Sequence, residues 1–270
     1  MKKFIILALI FNLAFNVFAQ LDTMYVYNKG TVIRIPVQNI DSITFEYRVP
    51  GVFICGTSTV LDVDSNVYNT VLIGNQCWLK ENLRVTRYSD GETITGKPTA
   101  GTMVETRDGA LYFYDANHST VNTNPPYGLF YNWAAAARAT DCNSNANFSD
   151  EKRQGVCPMG WHLPSRNEWK VLEDYLGGSN IAGGKMKSLG TAYWTTPNAG
   201  AATESSSGFS ALPAGKHYNG IVEMSQSAYF WSSTQNYPDA FAIQLTYFFP
   251  FMPSGNYQKH FGHSVRCVKD

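Results

Sequence analysis

Charge is scarce in this sequence, and what there is cancels. Asp, Glu, Lys and Arg make up 16% of the 270 residues, and 21 basic side chains face 21 acidic ones. Without a basic excess there is no long-range attraction to a nucleic-acid backbone or an anionic membrane, so neither partner is expected. Long apolar runs are also missing. After the run from Phe4 to about Phe15, nothing approaches the roughly eighteen apolar residues of a membrane span. There is no nucleophile elbow, phosphate loop, zinc-protease motif or internal repeat, so no cofactor and no catalytic centre are expected.

What is present begins with an address. Lys2 and Lys3 precede the short apolar run, and Val17-Phe18-Ala19 places small residues at both cleavage-recognition positions, so residues 1–19 read as a secretory signal peptide. No cysteine follows where a lipid could be attached. The mature chain is expected to be secreted or held at the cell surface, with the periplasm as the other destination. Five cysteines, Cys55, Cys77, Cys142, Cys157 and Cys267, then enter a compartment where disulfides persist, and an odd count leaves one outside any intrachain pair.

Residues 20–48 form a small β segment. Met24 to Phe45 is rich in Val, Ile, Thr and Tyr, is broken at Asn28-Lys29-Gly30, and predicts a hairpin with a third short strand. Arg48 to Val52 is the joint to a main domain over 53–270. There Val67–Ile73 and Gln76–Leu83 predict a hairpin about Gly74-Asn75. The four alanines within 127–140 and the apolar residues around them predict a buried or amphipathic helix. Ser165 three residues before Glu168 is a capping pair, which opens a helix from Arg166 to about Leu176 with a buried stripe of Trp169, Leu172, Tyr175 and Leu176. A shorter helix is expected over Ile181–Leu189, and strands over Gly208–Leu212, Ala228–Ser233, Ala240–Thr246 and His263–Val268. Two main helices in a frame of short strands and long loops define an α+β domain. The aromatic density of CPMGWHLPSRNEW at 157–169 then reads as core, with His162 a hydrogen-bonded structural residue.

Candidate sites are few. Asp62, Asp64 and Asn66 alternate like the start of a calcium loop, but Val67 stands where such a loop needs Gly and Ile73 where it needs Glu, so a structural turn is the simpler reading. His217, His260 and His263 lack an acidic or cysteine residue at metal-ligand spacing and read as surface histidines. The segment YFFPFMP at 247–253 sits in a loop between two strands. Tyr247, Phe248, Phe249 and Phe251 either fold inward or offer flat apolar faces to sugar rings, with Asn256, Gln258 and Lys259 nearby for hydroxyls. Inward packing is the simpler account.

GNQCWLKENLR at 74–84, YGLFYNW at 127–133, CPMGWHLPSRNEW at 157–169, GFSALPAG at 208–215, YFWSST at 229–234 and HSVRCVKD at 263–270 together resemble the Fibrobacter succinogenes major paralogous domain. That family is similar to the C-type lectin-like fold and to sulfatase-modifying factors. The resemblance implies a two-helix, hairpin-framed domain with a disulfide between Cys157 and Cys267. Cys55, Cys77 and Cys142 then share one further bridge at most, for which Cys55 to Cys77 is the choice. An oxidase like the sulfatase-modifying enzymes would need C-x4-C, yet the closest cysteines here, Cys142 and Cys157, have fourteen residues between them. Calcium-bridged sugar binding would need an acidic or amide residue before proline, where Thr196-Pro197-Asn198 and Tyr237-Pro238-Asp239 have none. The resulting expectation is a non-catalytic binding module for an extracellular glycan or a surface protein. A structural or adhesive component assembling through the hairpin and the odd cysteine is the alternative.

Overall fold

The computed structural model describes residues 23–28, 31–36, 52–94, 112–113, 126–143, 152–202, 206–218 and 220–270. The leader 1–19, the third strand expected near 41–45 and residues 48–51 of the joint lie outside them. The chain divides into two compact units, Met1–Val52 and Phe53–Asp270. In the first, Thr23–Asn28 and Thr31–Pro36 pair antiparallel with Asn28 opposite Thr31, the hairpin expected of a β-branched and aromatic run.

The second unit is α+β. A four-stranded antiparallel sheet is ordered Thr70–Ile73, Gln76–Leu79, Val268–Lys269, Trp161–His162. Gly74, at φ +59, makes its first turn. This hairpin is shorter than the sequence predicts, because Val67–Tyr68 pairs with Val60–Leu61 instead. A three-stranded meander joins Ser227–Asn236, Asp239–Thr246 and Ser254–Tyr257. Two expected strands are nearly absent. Gly208–Leu212 contributes only a bridge from Ala211 to Lys187, and His263–Val268 becomes bridges at His263 and Ser264 before the strand Val268–Lys269.

Helix α1 is confined to Trp133–Ala137, and every one of its residues is buried. Phe130 and Tyr131, expected to be helical, lie in a strand opposite Tyr112–Phe113, and the Tyr131 amide is taken by the His263 carbonyl. Asn132 caps the helix, and Arg138 ends it in the left-handed region. Other backbone closes in on the helix from outside, and glycine is needed there: a Cβ at Gly155 would come within 2.0 Å of the Ala136 carbonyl oxygen.

Helix α2, Arg166–Tyr175, carries the expected capping box: Ser165 accepts from the Glu168 amide while the Glu168 carboxylate accepts from the Ser165 amide. Trp169, Leu172 and Leu176 are buried, but Tyr175, expected in the same stripe, is 65% exposed. Its turn of the helix overhangs the Gly74 turn rather than the core. Gly177 and Gly178, at φ +102 and +91, stop the helix and lead into α3, Ser179–Met186.

The tryptophans of the 157–169 stretch are core. Trp169 packs on Trp78 with ring centroids 4.7 Å apart and on Phe209 and Phe230 at 6.1 and 6.0 Å. Trp161 meets Phe53 edge-on. The His162 ring lies between the Asp270 and Glu168 carboxylates, each 2.6 Å from a ring nitrogen. Cys157 is joined to Cys267, and Cys55 to Cys77. Cys142 is outside both bridges and buried, its sulfur 3.4 Å from the Lys259 carbonyl oxygen.

Candidate recognition surface

The loop 247–253 leaves the strand Asp239–Thr246 and passes across α3, and its backbone is held on both sides. Gly184 donates to the Pro250 carbonyl at 2.8 Å, Met252 donates to that of Ser179 at 2.8 Å, and Ala199 donates to that of Tyr247 at 2.8 Å. The close crossing depends on Gly183, where an added Cβ would stand 1.8 Å from the Phe251 carbonyl oxygen. Beneath the loop the buried Lys187 ammonium donates to the carbonyls of Ala199 (2.6 Å), Thr246 (2.8 Å) and Phe249 (3.2 Å), and it lies over the Trp194 ring. Burial lowers its pKa to about 8, which leaves this clamp charged at neutral pH. Nothing in the sequence near Lys187 signals that role, because its three acceptors lie 12, 59 and 62 residues along the chain.

The anchored backbone turns Met252 inward and the phenylalanines outward. Phe248, Phe249 and Phe251 are 55%, 46% and 43% exposed, while Tyr247 is half-buried against the core. Phe249 and Phe251 lie parallel, 3° between planes and 5.3 Å between centroids, and Phe248 meets Phe249 edge-on at 4.9 Å. The inward-packed loop is therefore not what forms at these three rings. The carbonyls of residues 249 and 250 are consumed by Lys187 and Gly184, and that orientation faces the side chains to solvent.

The polar residues expected beside them lie elsewhere. Asn256 is exposed but sits in the strand opposite Phe241, five residues or about 17 Å along the sheet from Thr246. Gln258 lines a cleft of about 150 Å³ at the far end of the meander with Tyr237, Pro238, Asp239 and His260. Lys259 lines the same cleft but is buried, its ammonium over the Trp133 and Tyr237 rings. The Asn198 amide donates inward to the carbonyls of Ser188 and Gly190.

The acidic trio is engaged by protein donors. Asp62 accepts from the amides of Asp64 and Asn66, the Asn66 side chain and the Tyr68 hydroxyl. Burial acts to raise the Asp64 carboxyl, but hydrogen bonds from Thr86 and Arg87 outweigh it and hold it below its usual value. Of the three histidines expected on the surface, His260 is partly exposed and the other two are not. His217 and His263 are buried, and His263 stacks on Trp231 and Tyr229 at 4.1 and 5.1 Å. Among the described residues no three His, Cys, Asp or Glu side chains are grouped to hold a metal ion, and no helix is long and apolar enough to cross a membrane.

No curated protein and no solved structure matches the chain. The model of the Fibrobacter succinogenes major domain matches residues 71–269, a span that takes in the Cys157–Cys267 bridge, helices α1 to α3 and the aromatic loop. The protein belongs to the Fibrobacter succinogenes major domain family.

Proposed function

We propose that this is an exported, non-catalytic binding module of C-type lectin-like architecture, and that it recognises a glycan or a protein outside the cell through Phe248, Phe249 and Phe251. The observation that carries the reading is the exposure of three phenylalanines on a backbone fixed by a buried lysine and an adjoining helix. A soluble domain gains nothing in stability from such an apolar patch, and grouped apolar exposure marks interaction surfaces. Rigid aromatic rings supply contact area at little cost in side-chain entropy. Export is supported by the leader-like residues 1–19 and by two disulfides. The thiols of Cys157 and Cys267 are spent on each other, which speaks against a copper oxidase of the sulfatase-modifying kind. Assembly through a disulfide at Cys142 is disfavoured by the burial of that sulfur.

The test is the double substitution Phe249→Ala/Phe251→Ala in the mature chain, probed on a glycan array with and without a chelator and by thermal unfolding. Exposed substitutions change stability by about 0.5 kcal/mol each, so the expected result is lost binding at a nearly unchanged Tm. A large fall in Tm would make the rings core and end the proposal.

A further inference from the structure

On the side of α3 away from Phe251 lies a cleft of about 370 Å³, lined by Leu72, Ile73, Tyr175, Leu176, Lys185, Ser206 and Ser207. Its volume falls within the range of small-ligand sites. Lys185 follows Gly183 by two residues, about 200° around the helix, so α3 carries the aromatic loop on one face and this cleft on the other. We infer that the cleft is a second recognition site and that it takes a carboxylate-bearing sugar, a hexuronate unit of an acidic polysaccharide.

Four features of the lining specify that ligand. The floor is apolar, because Ile73 and Leu176 are buried. One wall is the exposed ring of Tyr175, which rests against Gly74, where an added Cβ would meet Tyr175 Cδ2 at 2.9 Å. The glycine thus lets the ring lie close on the turn and fixes it, leaving an aromatic face that suits the apolar face of a pyranose. The third feature is charge. Among the described residues, the Lys185 ammonium has no ion pair and no acidic side chain lines the cleft, so the formal charge these residues bring to it is positive. An anion placed there gains a charge-assisted hydrogen bond without displacing a protein partner. Finally, Ser206 and Tyr175, both hydroxyl-bearing, are among the lining residues. The Ser207 hydroxyl is used to hold the Lys185 carbonyl at 2.9 Å, which ties the serine segment to the helix. A cation, an aromatic face and hydroxyls around an apolar floor match a sugar acid better than a neutral sugar, which leaves the ammonium idle, or a simple anion, which leaves the ring idle. This site does not depend on the phenylalanine surface.

The experiment is isothermal titration of the mature chain with a hexuronate trimer, with the same trimer after reduction of its carboxylates to alcohols, and with acetate. The trimer is expected to bind at least about tenfold more tightly than the reduced trimer or acetate. Lys185→Met and Tyr175→Ala are each expected to weaken it at least about tenfold at unchanged Tm, with Lys185→Arg retaining most of the affinity, while Phe249→Ala/Phe251→Ala leaves it intact. Equal binding of the reduced trimer, no binding of the trimer, or indifference to Lys185→Met overturns the inference. Loss in the phenylalanine variant alone would assign the sugar acid to the other face and also overturn it.

Discussion

At the scale of single residues, His263 is the least conventional placement in the molecule. Its ring is fully buried between Trp231 and Tyr229, with Tyr257 edge-on at 5.2 Å, and neither nitrogen has a hydrogen-bond partner among the described residues. Burial first, and Lys216 second, push its pKa well below 6.5. Lys216 is itself paired with Glu223, whose other carboxylate oxygen accepts from the Tyr229 hydroxyl. The native imidazole is neutral, whereas the unfolded chain takes up a proton as pH falls through about 6.5. Stability from this residue is therefore fully present above that pH and declines below it. His263→Phe keeps the stacking, removes two unsatisfied nitrogens and is expected to raise stability at pH 7. It should also flatten the loss between about pH 6.5 and 5, read from urea midpoints at the two ends. A variant less stable at both would show that the nitrogens have partners that matter. None of this is legible in sequence, where His263 is one of three spaced histidines. Tyr175 carries the same lesson: helical spacing places it with Leu172 and Leu176, but which residues of a stripe are covered depends on how far the neighbouring strand extends.

Among elements, α2 is the one most fully written in the chain. Its cap, three of its four apolar positions and its double-glycine stop are local signals that form. Glu168 adds a nonlocal task. Burial works to raise its carboxyl, yet hydrogen bonds from His162 and Ser165 outweigh this and lower it, so its contribution is present above the ordinary carboxylate range and lost as pH falls below it. Helix α3 is less legible, because its Gly183 and Gly184 argue against a helix by propensity, yet the crossing loop requires the first and the close approach of the Gly200 backbone the second. Gly183→Ala removes a propensity penalty of up to about 1 kcal/mol but drives a methyl group into the Phe251 carbonyl. The expected outcome is a net loss of stability together with weakened ligand binding, measured by thermal unfolding and by the same array. A gain in stability with binding intact would mean that the loop stands clear of the helix.

For the molecule as a whole, the Cys157–Cys267 bridge spans 110 residues, and in the chain-entropy model a loop of that length is worth about 4 to 5 kcal/mol. It fixes the segment before α2 to the terminal strand, beside the Trp161–His162 and Val268–Lys269 pairing. Cys55–Cys77 closes a loop of 22 residues, worth about 3 kcal/mol on the same basis. Cys157→Ala/Cys267→Ala is accordingly expected to lower unfolding free energy by about 2 to 5 kcal/mol, more than Cys55→Ala/Cys77→Ala, with guanidinium unfolding as the measurement. The reverse order would mean that residual structure in the unfolded chain, rather than loop length, sets the effect. The buried Arg266 completes the central frame. Its guanidinium donates to the Asn82 side chain and to the Leu79 and Phe209 carbonyls while lying over the Phe209 ring.

The amino-acid sequence by itself determined the α+β class, the N-terminal hairpin, the capped helix and the family. Those rest on periodicity, caps and turn residues within a few positions of one another, and on ordered motif blocks that survive without any knowledge of contacts. Only the tertiary structure decided that the aromatic loop faces outward, that Lys259 and His263 are buried, and that Tyr175 and Lys185 share a cleft. Each of these depends on which distant backbone carbonyl or ring closes over a side chain, a long-range accounting of hydrogen bonds and burial that no local pattern encodes.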